Sequence, residues 1–461
     1  MKHLTAREER FRSAHLACVR HMTLDPRGPG VVRIHMIPPR PETPMQPYLL
    51  LLNGARLVPL NFSWAVLLSG FMDELEAFAG REIDERDWHA IAAGAVKTAR
   101  KVYSLTARKR LESDLQLMLD SLLAIARGQE PTAEVGLMTL GEYAPYMTAP
   151  HRMDLMVSAM TREGRWHCNQ QCIHCYAAGQ TLSEVPELST EEWKTVLEKL
   201  REDNIPQVTF TGGEPTMRDD LPELVEAASW FVTRLNTNGR RLSPQLCQQL
   251  YEASLDSVQV TLYAADESAH NTLVGAPGFQ DTLQGIRNAV ASGLIVSVNT
   301  PLCSLNEDYA ATLRLARSLG VRYATCSGLI PSGEALGSES RATRLTTERL
   351  TEILTQAADT ARELGMELDF TSPGWLSEEA LHAMGLHLVP SCGACLSNMA
   401  IAPDGAVVPC QSWLGGTTLG NILTDDWSTI WESEQCRTIR DKSAQMEHIC
   451  QLHTGNQEVA K

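Results

Sequence analysis

The chain has 461 residues, enough for roughly two or three domains, and 43% of them are hydrophobic, so there is material for real cores. A formal net charge of −16, from 40 basic and 56 acidic residues, disfavours nucleic acid as a partner, because an acidic surface repels phosphate backbones. No run of roughly eighteen apolar residues occurs, which argues against a membrane span, and the charge-rich N-terminus has no apolar signal core, so a cytoplasmic location is expected.

Residues 1–130 read as an α+β domain. The apolar segments VVRIHMI and YLLLLNGARLVPLN come first, and Asn53-Gly54 between two apolar runs predicts a hairpin. Three helical patterns follow, SWAVLLSGFMDELEAFAG, ERDWHAIAAGAVKTARKVY and ARKRLESDLQLMLDSLLAIARG, with apolar residues at three- and four-residue spacing. The basic stretch 98–112 reads as a solvated helix face. Residues 131–151, punctuated by Gly and Pro, read as a linker.

Residues 152–370 alternate strand and helix. The strand candidates are DLMVSAM, QVTFT, FVTRLNT, SVQVTLY, LIVSVNT and RYATCSG. Among the helical patterns between them, STEEWKTVLEKLRED opens with a capping box of Ser189 and Glu192. Six such units predict an open, partial (β/α)6 barrel rather than a closed eight-fold one. Residues 371–461 form a loop-rich region with paired cysteines and a helical segment, TDDWSTIWESEQCRTIRDKSAQ.

There are 12 cysteines, and in a reducing compartment their clustering points to metal rather than disulfides. Cys168, Cys172 and Cys175, in CNQQCIHCY, fall in a loop straight after the first barrel strand, the end at which such folds place active sites. Three thiolates on a four-iron cubane leave one iron open, and an open position is what separates a catalytic metal from a structural one. A zinc site completed by His167 or His174 is the alternative.

The Cys-x3-Cys-x2-Cys spacing on that loop resembles the radical SAM superfamily. TGGEPT at 211–216, after the second strand, and NTNG at 236–239, after the third, extend the resemblance along region two. It implies a [4Fe–4S] cluster on Cys168, Cys172 and Cys175 whose open iron binds the amino and carboxylate groups of S-adenosylmethionine. It places Gly212, Gly213, Glu214 and Pro215 beside the amino group, with the glycines allowing close backbone approach and the Glu214 region supplying acceptors for an ammonium. Asn236 and Asn238 fall on the ribose side. Thr261 and Asn299 match positions near the ribose or carboxylate, and strand-end capping is their alternative. His174 stands where the family often has an aromatic residue next to the adenine, against a solvated loop histidine, and Tyr176 closes the same motif. In the family one electron breaks a carbon–sulfur bond, methionine leaves, and a 5′-deoxyadenosyl radical abstracts hydrogen from the substrate.

Farther on, Cys392 and Cys395 form a Cys-x2-Cys pair, and Cys395, Gly405 and Cys410 form a Cys-x9-Gly-x4-Cys pattern that resembles the auxiliary-cluster region of SPASM and twitch domains. Asp404-Gly405 would turn a hairpin that brings Cys410 to face Cys395. The resemblance implies an auxiliary [4Fe–4S] cluster with its fourth ligand from Cys436 or Cys450. A zinc knuckle is the alternative for the first three, and a buried structural thiol for Cys436. The later run of closely spaced cysteines in a complete SPASM domain is missing, so one auxiliary cluster is expected. Region one resembles the winged-helix-like recognition element of peptide-maturing enzymes, which takes a leader peptide as an added strand. YLLLLNGARLVPLN would supply the edge, and a structural cap or dimerisation domain is the alternative.

The expected fold is therefore α/β: a partial (β/α)6 barrel at 152–370, an N-terminal winged-helix-like α+β domain and a small iron–sulfur domain at 371–461. The expected function is hydrogen abstraction from a peptide or protein in ribosomal peptide maturation, with a flavodoxin- or ferredoxin-type reductant. Small-molecule or cofactor chemistry, such as tetrapyrrole biosynthesis, is one alternative. A non-enzymatic metal-cluster redox sensor is another, and it leaves TGGEPT unexplained. The segment SGLIPSGEALGSE, 327–339, would line the substrate side of the barrel mouth through its glycines and Glu334, or is loop punctuation.

Overall fold

A computed structural model describes residues 4–24, 32–39, 46–53, 56–78, 82–127, 129–138, 140–144, 147–386, 388–445 and 449–452. The chain divides into two compact units, Met1–Thr148 and Ala149–Lys461.

In the first unit, α1 (Ala6–His15) precedes β1 (Arg20–Leu24), β2 (Val32–Ile37), β3 (Tyr48–Leu52) and β4 (Arg56–Leu60), then α2 (Phe62–Glu76), α3 (Glu85–Val102) and α4 (Arg108–Ala126). The strands make an antiparallel meander in the order β1-β2-β3-β4. Asn53 ends β3 at a φ of 48°, a left-handed conformation that asparagine tolerates; Gly54 lies outside the described residues. Three of these helix starts are capped by a side chain. The Thr5 and Asp84 side chains cap α1 and α3 in capping boxes, and Asn61 accepts from the Trp64 N–H at the start of α2. One core gathers Leu50, Leu52 and Val58 from the sheet with Phe71, Ile91, Leu115 and Met118 from the helices. Within YLLLLNGARLVPLN the YLLLL half is central, because β3 is hydrogen-bonded on both sides, and the RLVPL half, β4, lies at an edge. The edges are β1 and β4, and β4 carries Pro59, which has no N–H to offer.

The second unit is built on one sheet. Its strands are β5 (Arg152–Ser158), β8 (Gln207–Gly212), β9 (Val232–Thr237), β10 (Ser257–Thr261), β11 (Ile295–Pro301), β12 (Tyr323–Ser327), β13 (Glu367–Phe370), β14 (Asn398–Ile401), β15 (Ala406–Val408) and β16 (Gly420–Asn421); β6 (Thr161–Arg162) and β7 (Arg165–Trp166) form a separate small hairpin. The order is β13-β12-β11-β10-β9-β8-β5-β14-β15-β16, and every pairing from β13 to β14 is parallel. The six anticipated strands run through it in chain order, with helices such as Thr190–Glu202 and Phe279–Ala291 as crossovers. The Ser189–Glu192 capping box is formed. Two parallel strands were not anticipated. β13, ELDF, is four residues long with two acidic positions, too short and too charged to read as a buried strand. β14 follows the second cysteine pair and extends the sheet at β5, so β14–β16 continue the barrel sheet. The C-terminal helical segment is broken into Trp427–Trp431 and Glu434–Gln445.

The sheet's two faces differ in chemistry. Met153, Leu155, Val208, Phe210, Leu235, Val258, Val260 and Val298 are buried. The alternate positions, Arg152, Asp154, Thr209, Thr211, Arg234, Asn236, Gln259, Thr261, Asn299 and Thr325, line one cavity of about 740 Å³. Period-two alternation puts them all on the other face. Parallel strands buried on both faces read as continuous apolar runs; these do not, because their inner face bounds a chamber instead of a packed core. Among the described residues no helix is long and apolar enough to cross a membrane.

Candidate active site

The loop bearing Cys168, Cys172 and Cys175 is held mainly through its backbone. The Gln171 and Ile173 N–H groups donate to the carbonyls of Val274 and Leu273, at 3.0 and 3.1 Å. Arg240 donates to the Asn169 carbonyl at 2.7 Å, Ser340 to that of Ile173 at 2.6 Å, and the Glu334 N–H to that of Cys175 at 2.9 Å. Gly333, at φ 56°, lies so close that a Cβ would meet the Tyr176 carbonyl oxygen at 2.4 Å. The loop is therefore fixed while the three thiols line the chamber. Burial pushes the Cys168 thiol up to about 12, with the Glu214 carboxylate adding to it, and raises Cys172 and Cys175 too. Bound metal would have to displace those protons. Among the described residues no three His, Cys, Asp or Glu side chains converge on one ion; a cubane asks instead for one thiolate per iron.

The TGGEPT segment ends β8. At Gly212, φ is 131° and a Cβ would meet the Ser158 carbonyl oxygen at 2.1 Å; at Gly213 it would meet that of Ala159 at 2.8 Å. The two glycines thus let β8 close against the end of β5. Glu214 is 1% exposed. One carboxylate oxygen accepts from the Thr216 N–H at 3.0 Å, the Thr216 hydroxyl at 2.5 Å and the Thr237 hydroxyl at 2.6 Å; the other accepts from the Asn238 N–H at 2.8 Å. The carboxylate ties β8 to the loop after β9, and Glu214 also lines the chamber. Asn238 in turn donates through its side chain to Asn169 on the cysteine loop. Pro215 starts a 3-10 turn, is buried, and does not line the chamber.

Other expected residues face the chamber. Asn236 lines it, and its side-chain oxygen is buried without a partner. His174 is 6% exposed, its Nε2 is 2.8 Å from the Thr343 hydroxyl, and its Nδ1 has no partner. Burial pushes its pKa down to about 4, so the ring is neutral near pH 7. Tyr176 lines the chamber with its hydroxyl 3.4 Å from the Gln411 amide oxygen. Asn299 accepts from Thr325 at 2.9 Å, and Thr261 lies beside it in register. Two orphaned polar atoms, a glycine-lined cradle and three thiols make a donor set that fits S-adenosylmethionine beside a cubane.

The second cysteine set also reaches the chamber, where Cys392, Cys410 and Cys450 are lining residues. The Cys450 thiol hydrogen-bonds to Cys392, lowering the pKa of Cys392 and raising its own. Cys395 pairs in the same way with Cys436, lowering Cys436. Arg440 donates to the Cys436 sulfur at 3.7 Å, and Ser443 to that of Cys392 at 3.6 Å. Gly405 takes a φ of 87°, and the β14–β15 hairpin forms around it. The two cysteine regions share one apolar cluster, in which Met156, Ala178, Ala400 and Val408 pack with Cys168, Cys175 and Tyr176. The Gln180 side chain bridges them, donating to the Tyr176 and Ser412 carbonyls and accepting from the Leu414 N–H.

Residues 167–319 match the family model described as the radical SAM superfamily, and residues 392–452 match that of the SPASM iron–sulfur cluster-binding domain. The chain is an enzyme that carries a radical SAM domain and a SPASM domain. Such domains carry a cluster that binds S-adenosylmethionine and an auxiliary iron–sulfur cluster. Over 309 residues the radical SAM chain is 28% identical to AdoMet-dependent heme synthase of Oleidesulfovibrio alaskensis, covering 62% of this chain and 78% of that protein. It is 26% identical over 294 residues to PqqA peptide cyclase of Granulibacter bethesdensis, covering 59% and 76%. Streptococcus suis SuiB, solved bound to its precursor peptide SuiA, shares the fold with a TM-score of 0.58 at 14% identity, covering 86% of this chain and 87% of that one.

Several residues that shape this radical SAM site carry no signal of their own in the sequence. Arg240 and Ser340 brace the cysteine loop from two other segments, Gly333 packs against it, and Asn169 within it accepts from Asn238. Glu334 was expected at the chamber wall; it is exposed and outside the lining, while Ser327, Gly328, Leu329, Ile330 and Pro331 of the same segment do form wall. Arg152, Asp154 and Arg234 are charged residues inside strands, and only the alternation in RMDLMVS and VTRLNT hints that they face a chamber.

Proposed function

We propose that this chain modifies a peptide, with Cys168, Cys172 and Cys175 holding the cluster that binds S-adenosylmethionine. Bound there, that cluster supplies reductive cleavage of S-adenosylmethionine to a 5′-deoxyadenosyl radical, which abstracts hydrogen from the substrate. The chain's own residues do the positioning. Gly212 and Gly213 open the backbone for the amino group, Asn236 and His174 offer unpaired polar atoms, and Thr261 and Asn299 face the same space. The chamber walls exclude bulk water from a reactive intermediate. Cys392, Cys395 and Cys410 hold the auxiliary cluster, with Cys450 as fourth ligand because it borders the chamber beside Cys392 and Cys410. Residues 1–130 take up a leader peptide at a sheet edge, β1 being the one without proline.

The observation that carries the peptide reading is the extent of the fold shared with SuiB. It runs over 86% of this chain, more than the second unit alone accounts for. The likeness to PqqA peptide cyclase supports it. A second reading, chemistry on a small molecule, is favoured by the likeness to AdoMet-dependent heme synthase.

The test is anaerobic. After reconstitution, about eight irons per chain are expected, with 5′-deoxyadenosine formed on adding dithionite and S-adenosylmethionine. Peptides encoded beside the gene should then gain or lose mass in step with deoxyadenosine. A small molecule that drives deoxyadenosine formation, with every such peptide unchanged, would replace the peptide reading. Cys450→Ser is expected to lower iron by about four per chain and Cys436→Ser by less. The opposite order moves the fourth ligand to Cys436.

A further inference from the structure

The chamber holds a cation that the reaction outlined above does not use. Arg152 and Asp154 stand two residues apart on β5 and therefore on one face. Their side chains pair, with Nε 3.0 Å from the carboxylate. In the sheet register Asp154 lies opposite Thr209, and Thr209 opposite Arg234, so Arg234 projects from the same face two strands away. Arg234 lines the chamber and is accessible from it. Among the described residues its guanidinium donates no hydrogen bond, although such a group carries five donors. Enough protein surrounds it that desolvation, with the Arg152 charge adding, lowers its pKa.

The carboxylates of the lining are already engaged. Besides Asp154, the chamber lining contains one carboxylate, Glu214, whose oxygens already accept four hydrogen bonds. Asp154 pairs with Arg152 and acts on Arg234 through its charge, but among the described residues no carboxylate oxygen hydrogen-bonds the Arg234 guanidinium. Because Arg234 is exposed, its donors are open to water and to an anion that enters the chamber. The level is also informative. Arg234 lies two residues before Asn236, toward the start of β9, on the side where Asp154 interacts with the Cys410 thiol. That is away from the TGGEPT end of the chamber. Leu329, Ile330, Trp375, Leu388 and Val389 give the same chamber an apolar part of its lining.

We infer that Arg234, backed by the Arg152–Asp154 pair, binds a carboxylate of the substrate and so sets which residue of a peptide is presented for hydrogen abstraction. This rests on the reading that a peptide enters the chamber. A guanidinium matches a carboxylate with two parallel hydrogen bonds, which fixes orientation as well as position. The carboxylate belongs to an acidic side chain or to a free C-terminus, with apolar neighbours against the Trp375 wall.

The reconstituted holoenzyme, with S-adenosylmethionine, is treated with phenylglyoxal, and the modified fraction of Arg234 is read by peptide mapping. The probes are Ac-Gly-Glu-Gly-amide, Ac-Gly-Gln-Gly-amide and Ac-Gly-Gly-Gly with a free C-terminus. Arg234 is expected to react, and one carboxylate probe is expected to slow that reaction roughly tenfold while the glutamine probe does not. Protection by the glutamate probe assigns a side chain, and protection by the free terminus assigns a chain end. Equal protection by the glutamine probe, or none by either carboxylate, overturns the inference. An Arg234 that reacts only in iron-free protein is a counter-ion to the auxiliary cluster, and one that reacts in neither form has no open face; both results also overturn it. Deoxyadenosine is assayed in the same preparation, so its formation without protection defeats this inference and leaves the radical reading standing.

Discussion

Cys172→Ala is expected to abolish deoxyadenosine formation while leaving the protein folded. The residue is the middle one of the three proposed ligands, and among the described residues no three His, Cys, Asp or Glu side chains gather to hold one ion in their place. Its thiol makes one weak contact, 3.6 Å from the Gln170 amide oxygen. The loop is instead held by the Gln171 and Ile173 N–H groups on either side, which donate to the carbonyls of Val274 and Leu273. Removing one sulfur from such a loop should cost stability only about 1 kcal/mol, so the thermal midpoint should move by a few degrees at most. Iron should fall from about eight to about four per chain, the remainder belonging to the auxiliary cluster. Deoxyadenosine at the wild-type rate in this variant would remove the central assignment. Full iron content with no deoxyadenosine would place the first cluster on other ligands.

What the sequence makes legible divides along a physical line. Local signals are readable because they act over a few residues. The Ser189–Glu192 capping box, the Asn53 turn and the Gly405 turn each form where residue chemistry demands. Cysteine spacing is readable because a cluster fixes its ligands at short separations. The strand–helix alternation likewise carries most of the second unit. Long-range ties are not readable. Asn169 meets Asn238 across 69 residues and Tyr176 meets Gln411 across 235, and no local pattern specifies either pair. The β14 strand was hidden for the same reason: NMAI shows no sign that its partner is β5, some 250 residues earlier. In the first unit the hairpin signal says that two strands pair, and nothing about which of them a third strand covers; β3 is covered and β4 is the edge.

The chamber falls between these cases. In QVTFT and SVQVT the polar residues recur at every second position, and in VTRLNT Arg234 and Asn236 flank Leu235, where a parallel strand under two layers should be apolar throughout. That departure is present in the sequence. The alternation by itself marks a solvated inner face, and it singles out Arg234 as a charge inside a strand. Its lack of a partner could come only from coordinates in space, since Asp154 and Arg152 belong to a strand about 80 residues away.

Glu214→Gln is expected to destabilise the protein by about 2–4 kcal/mol even without S-adenosylmethionine. Glutamine keeps the size and one oxygen of the side chain, so the Thr216 and Thr237 donors can still be accepted. Its amide nitrogen would then face the Asn238 N–H, setting donor against donor at a site where Glu214 is 1% exposed and water cannot intervene. Turning the amide over only transfers the conflict to Thr216 and Thr237. Loss of the Asn238 contact also loosens Asn169, and through it the cysteine loop, so iron retention should fall together with the denaturant midpoint. A ligand role predicts a different pattern. If the carboxylate chiefly contacts the amino group of S-adenosylmethionine, the glutamine variant should match wild type in stability without S-adenosylmethionine and lose only affinity for it. Equilibrium denaturation without S-adenosylmethionine separates the two. An unchanged midpoint would show that the buried carboxylate does not tie β8 to the loop after β9, and a drop that Glu214→Asp only partly restores would show that both its charge and its reach are needed.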